Sequence, residues 1–450
     1  MPKNILFISD ISTKFKTLID LAEYFNSNKI HNSFFYFDDF NNEISNEPEI
    51  CSQKSIPYFF SYRCKAKTEP INHAKLNEKN GFFKKVGSFL FFKIKPYLVT
   101  FYKVKDYKRQ IKLAEQFIKE NNINIIVNCE DNYGISIIFI KAAKNLNIKS
   151  VILPFTMANQ EEIGYAFFPI EQTHIKSLSK RIFYSIFNNW KIIHKDVQLS
   201  FLEPFDIIAQ KLTGIAPINP FISVGGKSDI KLFESQFMLD YYTSSGFIKK
   251  KNSVISGSLK WDVFSSINKN KLKQKQELLK QLNLNENKPI ILCSLPPDYY
   301  PTALYKNHRE IIEHWLSVLS KIKTHYVFIN LHPRTKMSEI EYIKNYNVYV
   351  VNKPIEHLIP LCDLFVASLS ATIRFALACN KPVVNFDTVK VEYSEYRNID
   401  LVKTTYTKEE FENEIMKVVL TPESGTFPND YFGKLDDGNT ERIKLVFDSI

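Results

Sequence analysis

CDLFVASLSATIRFALACNKPVVNFD, residues 362–387, is the stretch whose reading decides the fold. Leu364-Phe365-Val366-Ala367 is a short apolar run of strand length, and Ser368 to Thr372 is a hydroxyl-rich turn. Ile373 to Cys379 reads as a helix stopped by Asn380 and Pro382, and Val383-Val384 opens a second strand that ends in Asn385 and Asp387. Strand, loop, helix, strand is one βαβ unit of an α/β domain. The first turn of the helix offers free N–H groups and the positive end of a dipole. Ser368, Ser370 and Thr372 therefore stand where such a unit receives an anion, the plainer alternative being that Ser370 only caps the helix.

Working outward, the same logic recurs on both sides. Pro289 to Cys293 predicts a strand ending at Ser294, and Tyr326 to Asn330 a strand delivering His332 and Arg334, with an amphipathic helix from Ile311 to Ile322 between them. A hydroxyl, an imidazole, a guanidinium and a helix N-terminus at successive strand ends suit a diphosphate or phosphodiester. In the first half, Asn4 to Asp10 predicts a strand that opens into a polar turn, followed by apolar helical spacing from Leu18 to Phe25. No GxGxxG follows it, so the dinucleotide fingerprint is absent. Ile123 to Val127 is a further strand, ending in Asn128-Cys129-Glu130-Asp131-Asn132 before a helix from Ile135 to Leu146. A carboxylate at the carboxyl end of a parallel strand can act as general base toward a hydroxyl. Glu130 is the first choice, while Asp131 either shares that role or caps the helix.

Ser150 to Pro154 predicts another strand with a polar loop, Thr156 to Glu162, after it. Helical stretches are expected at 175–190 and 203–212, a last strand at Phe221 to Val224, and a helix from Asp229 to Tyr242. Lys249-Lys250-Lys251 marks an exposed joint, and Ser256-Gly257-Ser258-Leu259-Lys260-Trp261-Asp262 leads into the second half. At 450 residues, two α/β domains are expected. They are placed at 1–250 and 251–430, with residues 431–450 a tail or helix returning to the first. Residues 41–80 are polar and without clear periodicity.

With 59 Lys and Arg against 48 Asp and Glu, the net charge of +11 fits anionic partners without choosing among them, and an AT-rich genome would give the same lysine excess. The bases concentrate in 82–112, where Lys84, Lys85, Lys93, Lys95, Lys103, Lys105, Lys108, Arg109 and Lys112 stand against the single acid Asp106, interleaved with Phe and Tyr. Such a segment suits the headgroup layer of an anionic membrane, or a core helix pair with a solvated basic face. Single-stranded nucleic acid fits less well, and no nucleic-acid partner is expected. Cys51, Cys64, Cys129, Cys293, Cys362 and Cys379 show no CxxC spacing and read as buried thiols in a reducing compartment. Met1-Pro2-Lys3-Asn4 leads straight into a strand, and no run reaches the ~18 apolar residues a spanning helix needs. The expected location is cytoplasmic, at most peripheral on the inner face of the membrane. No Asp-x-Asp pair stands at a strand end, so neither metal nor cofactor is expected.

The pairing of His332-Pro333 after one strand with the hydroxyl motif after the next, then Lys381-Pro382-Val383-Val384 and Asp387, resembles bacterial GT-B glycosyltransferases of surface-polysaccharide synthesis. It is most similar to those that use CMP-activated Kdo or sialic-type sugars and to CDP-glycerol polymer transferases. The resemblance implies two Rossmann-like domains facing each other across a cleft. It also implies a nucleotide-sugar donor with its phosphate held at His332, Ser368 and Ser370, a glycan or lipid-linked acceptor of capsule or lipopolysaccharide, and an N-terminal base at Glu130 or Asp131. Gly134 stands displaced from those acids by Asn132 and Tyr133, a departure from that pattern. Asp262 is the rival nucleophile in a retaining reaction, and Asp10, Lys260 and Asp387 are further candidates. The non-hydrolysing UDP-GlcNAc 2-epimerases share this architecture and supply the alternative activity, and a non-catalytic assembly scaffold supplies another.

Overall fold

A computed structural model describes residues 2–38, 44, 46–61, 83–153, 160–200, 202–244, 248, 250–296, 304–331, 335, 340–388, 396, 399–420 and 429–450. The chain divides into two compact units. One comprises residues 1–234, 238–256 and 446–450, the other 235–237 and 257–445.

The first unit is built on a parallel sheet of β1 (Asn4–Ser9), β2 (Asn32–Phe37), β3 (Tyr58–Phe60), β4 (Ile125–Asn128), β5 (Lys149–Ile152), β8 (Ile230–Phe233) and β9 (Ser253–Ile255), in the order β3-β2-β1-β4-β5-β8-β9. A short antiparallel ladder, β6 (Ile192–His194) with β7 (Val197–Leu199), stands apart from it. The central strands are continuous apolar runs because helices cover both faces of a parallel sheet. Ile5, Leu6, Phe7 and Ile126 are all buried, with Leu6 beside Ile126 in register. Helices Ser12–Ser27, Phe83–Glu120 and Gly134–Asn145 follow the helical spacing of their apolar residues. The terminal residues 446–450 belong to this unit, where the Phe447 ring meets Phe25 at 5.2 Å and Lys3 Nζ donates to the Phe447 carbonyl at 2.8 Å.

The second unit carries a parallel sheet of β10 (Ile290–Ser294), β11 (Tyr326–Asn330), β12 (Tyr349–Val350), β13 (Leu364–Ala367), β14 (Val383–Phe386) and β15 (Val402–Thr405), in the order β12-β11-β10-β13-β14-β15. Helix His308–Leu319 covers one face, with Trp315 stacked on Phe386 and Phe411. Leu377 and Ala376 of helix Ile373–Ala378 cover the other, together with Trp261 and Phe264. The βαβ reading of 362–387 is met within a residue or two at each end.

Several expectations need correction. Phe221, Ile222 and Val224 are buried, yet the segment forms no strand, because Pro220 precedes it, Gly225 and Gly226 follow it, and it turns back on itself through Gly225 N to Ile222 O at 2.7 Å. The strand is instead β8, inside the stretch expected to be helix from Asp229, and the helix starts only at Gln236. The 175–190 stretch shrinks to helix Leu178–Ile186 between 3₁₀ turns. Helix Gln160–Phe167 begins inside what reads as loop. Within 41–80, the described part contains helix Glu47–Gln53 and edge strand β3.

Candidate functional site

In an open α/β sheet ligands bind beyond the carboxyl ends of the strands, where the strand order reverses. In the first unit the order runs outward from β1 through β2 and β3 on one side, and from β4 onward on the other. The reversal lies between β1 and β4, which end at Ser9 and Asn128 and are followed by Asp10 and by Glu130 and Asp131. Here Lys14, in the first turn of helix Ser12–Ser27, reaches the residues that follow both strands. Its Nζ donates to Asp10 Oδ1 at 2.7 Å, pairs closely with Glu130 Oε1, and lies 3.3 Å from the Tyr133 hydroxyl. The lysine also sits 5.0 Å from the centre of the Tyr133 ring.

The side chains of Lys14 and Glu130 are only 4% and 10% exposed, so this is a buried ion pair whose stability depends on both members. Burial pushes the Glu130 carboxyl above the usual carboxylate range, while the Lys14 ammonium pulls it back. Burial alone would lower Lys14, yet Glu130 and Asp10 raise it well above its ordinary value. Burial also raises the Tyr133 hydroxyl, and Glu130 adds to that shift, although the residue as a whole is 42% exposed. The cluster is a lysine held between two carboxyl groups, with the Tyr133 hydroxyl at its rim.

Asp131 stands one residue away and does something else. It is 1% exposed, accepts from Gly226 N at 2.6 Å, Ser228 N at 3.1 Å and Ser228 Oγ at 2.6 Å, and pairs closely with Lys231 of β8. No side chain caps helix Gly134–Asn145, so Asp131 is not its cap. Its carboxylate instead ties the 226–231 segment to the end of β4. A Cβ at Gly226 would lie 1.7 Å from the Asp131 carbonyl oxygen, so only glycine permits the approach.

In the second unit the order reverses between β10 and β13, which carry Ser294 and the 368–372 turn at their ends. Leu369 has a left-handed backbone, φ +48°, a conformation that costs a leucine about 1–2 kcal/mol. Its N–H donates to Asn385 Oδ1 at 3.0 Å, from the end of β14, which holds the turn in that shape. Ser370 Oγ and Thr372 Oγ1 lie 2.7 Å apart, and Thr372 N donates to Ser370 Oγ at 3.3 Å. The N–H groups of Ile373, Arg374 and Phe375 turn back onto the carbonyls of Ser370, Ala371 and Thr372. The first-turn amides of Ile373, Arg374 and Phe375 expected to meet an anion are thus occupied, while Ser368, Ser370 and Thr372 are half-buried and carry hydroxyls that can donate. Lys260 lies 4.7 Å over the Phe375 ring, and Asp387 is fully buried. His332 and Arg334 lie outside the described residues.

Asp262 is spent on structure. One oxygen accepts from Asn439 N at 2.9 Å and Nδ2 at 2.6 Å, the other from Thr440 N at 2.7 Å and Oγ1 at 2.6 Å. It caps helix Asn439–Ser449 from outside that helix.

Lys14 and Tyr133 are members of the site that sequence reasoning missed. The signal for Lys14 was its spacing of four from Asp10, a pairing that favours helix at a point where the apolar pattern had not yet begun. Cys51, Cys129, Cys293 and Cys362 are buried free thiols, Cys379 is free but only half-buried where a buried thiol is expected, and Cys64 lies outside the described residues. No group of His, Cys, Asp or Glu able to hold a metal occurs among the described residues, and no described helix is long and apolar enough to cross a membrane.

No protein-family model matches the chain, and no curated protein matches it in sequence. Solved structures do. UDP-GlcNAc 2-epimerase from Neisseria meningitidis bound to UDP-GlcNAc is similar at 12% identity and TM-score 0.53, covering all of both chains. A putative UDP-N-acetylglucosamine 2-epimerase from Listeria monocytogenes is similar at 11% and 0.52, covering 100% of this chain and 98% of the other. The glycotransferase of kitacinnamycin is similar at 11% and 0.50, covering 99% and 95%. Identities this low speak to architecture alone, and the architecture is GT-B, built from two Rossmann-like units.

Proposed function

We propose that the chain is a nucleotide-sugar-dependent glycosyltransferase of surface-glycan synthesis. The observation that carries this reading is Glu130, a buried carboxylate at the strand-order reversal of the first unit, held above the usual carboxylate range by burial and steadied by Lys14. A base with that setting suits removal of a proton from an acceptor hydroxyl near neutral pH. The hydroxyl oxygen attacks the anomeric carbon, its proton passes to Glu130, and the bond from that carbon to the nucleotide phosphate breaks with the electron pair leaving on phosphate. Ser368, Ser370 and Thr372, with Ser294 on the adjoining strand end, are proposed to bind that phosphate, joined by His332 and Arg334. Asp131 and Asp262 are assigned to scaffolding, because their oxygens are already filled. The donor we favour is CMP-Kdo or another CMP-nonulosonate, and the acceptor a capsule or lipopolysaccharide glycan. Such an acceptor is reached at the inner face of the membrane, with helix Phe83–Glu120 as the contact. The test is release of CMP from the donor in the presence of a glycan acceptor. Glu130→Gln should abolish it while nucleotide binding survives, and retention of full turnover by that variant would remove the reading.

A second reading is a UDP-GlcNAc 2-epimerase. It is favoured by the similarity to solved structures bearing that name and by the clustered Glu130, Lys14 and Tyr133, groups able to take and return a proton at a sugar carbon. Conversion of UDP-GlcNAc to its C2 epimer without any acceptor would decide for it.

A further inference from the structure

Helix Leu178–Ile186 is firmly seated in the first unit. Ser177 accepts from Lys180 N at its start, and Tyr184 is buried beside Trp190 and Ile207. Its outer face is nevertheless aliphatic. Leu178, Ile182 and Ile186, spaced by four and so forming one stripe, are 74%, 56% and 71% exposed. Solvation gives no reason for this, since single exposed aliphatics are common but an aligned row on an ordered helix is not.

The stripe runs into a cavity of about 550 Å³ lined by Ile186, Phe187, Asn188, Lys211, Ile218 and Lys227. Lys211 lies over the Phe187 ring at 4.9 Å, and Lys227 Nζ donates to the Gly214 carbonyl at 3.0 Å. Lys141 approaches the same place, its Nζ 3.7 Å from where a Gly214 Cβ would stand. Burial lowers the Lys227 pKa, and Lys144, Lys141 and Lys211 lower it further by repulsion. Capping of helix Pro204–Thr213 accounts for one of these cations and not for the others. Among the described residues no carboxylate pairs with Lys141, Lys144, Lys211 or Lys227.

We infer that this face docks on an anionic lipid bilayer, with Leu178, Ile182 and Ile186 entering the acyl boundary and Lys211 and Lys227 holding lipid headgroup phosphates in the cavity. An aliphatic row bordered by uncompensated cations is the arrangement such a surface attracts, because apolar burial and charge neutralisation act together. A second copy of this chain suits it poorly, since a twofold contact would bring the same cations toward one another. The residues are distinct from those of helix Phe83–Glu120, and binding here needs no sugar chemistry.

The test is sedimentation of the full chain with phosphatidylcholine vesicles, with and without a fraction of phosphatidylglycerol, at fixed ionic strength. Binding is expected only with the anionic lipid. The pairs Ile182→Glu with Ile186→Glu, and Lys211→Glu with Lys227→Glu, should each weaken it roughly tenfold or more. Ile182 and Ile186 are exposed, so the circular-dichroism melt of that pair should match the parent chain. Inorganic phosphate, added at the lipid phosphate concentration, should not compete. Equal binding to neutral vesicles, competition by phosphate alone, or parent-like binding by both pairs would overturn the inference. So would a dimer in light scattering that Ile182→Glu dissociates.

Discussion

Replacing Lys14 with methionine keeps the stem of the side chain and removes its charge, leaving the Glu130 carboxylate buried without its cation. Breaking one side of a buried pair costs about 3–5 kcal/mol. In a domain of this size each kcal/mol moves the melting midpoint by roughly 2–4 °C, so a drop of roughly 6–20 °C is expected near neutral pH. The deficit must depend on pH. Without Lys14, the folded-state pKa of Glu130 rises further above its unfolded value of about 4.3, so the folded state binds more protons than the unfolded state between those two values. Stability of Lys14→Met should therefore fall as pH rises through that window, and the gap to the parent chain should widen from pH 5 to pH 8. Glu130→Gln removes the charge that Lys14 answers, so the double variant should lose less than the sum of the single losses, by about 1–3 kcal/mol. Scanning calorimetry of the parent, both single variants and the double variant at pH 5, 6, 7 and 8 measures all of this. Losses that add within about 0.5 kcal/mol and stay flat with pH would refute the buried-pair account.

Asp262→Ala should lower stability by about 1–2 kcal/mol by uncapping helix Asn439–Ser449, with kcat unchanged. A hundredfold fall in kcat at unchanged melting temperature would restore it as a nucleophile. Ser370→Ala combined with Thr372→Ala should leave the fold intact and weaken nucleotide binding about tenfold to a hundredfold by calorimetric titration. Burial holds His314 below its ordinary pKa, 2.7 Å from the Tyr305 hydroxyl. Between that depressed value and about 6.5 the unfolded chain binds more protons, so stability falls as pH drops through the window, and His314→Gln should flatten the slope in acid denaturation curves.

The second unit was readable because its strands are apolar runs with hydroxyl, Pro or Asn punctuation, and the 362–387 pattern appears in the structure almost as written. The first unit was less so where aromatic or loop chemistry competes with periodicity. Asn32 to Phe37 is β2, yet Phe34, Phe35, Tyr36 and Phe37 in a row carry no alternation to read. Phe221 to Val224 has the composition of a strand and the burial of one, but its backbone partners lie in a turn and at Asp131 N. The acids illustrate the same limit. Sequence position put Glu130 and Asp131 together at a strand end, and only the side-chain partners separate an ion pair with Lys14 from a knot with Ser228 and Lys231. Those partners lie 116 and about 100 residues away in the chain, beyond the reach of any local pattern.

That knot also fixes what can move. With Asp131 bolted to Gly226, Ser228 and Lys231, the peptide bearing Glu130 has no freedom of its own, so any repositioning of the base has to come from a rotamer change or from helix Ser12–Ser27 carrying Lys14 away. Exchanging the neighbours, Glu130→Asp with Asp131→Glu, would preserve composition and net charge while shortening one arm and overfilling the other's socket. Both the anchor and the reach of the base would be lost in a chain whose formula is almost unchanged.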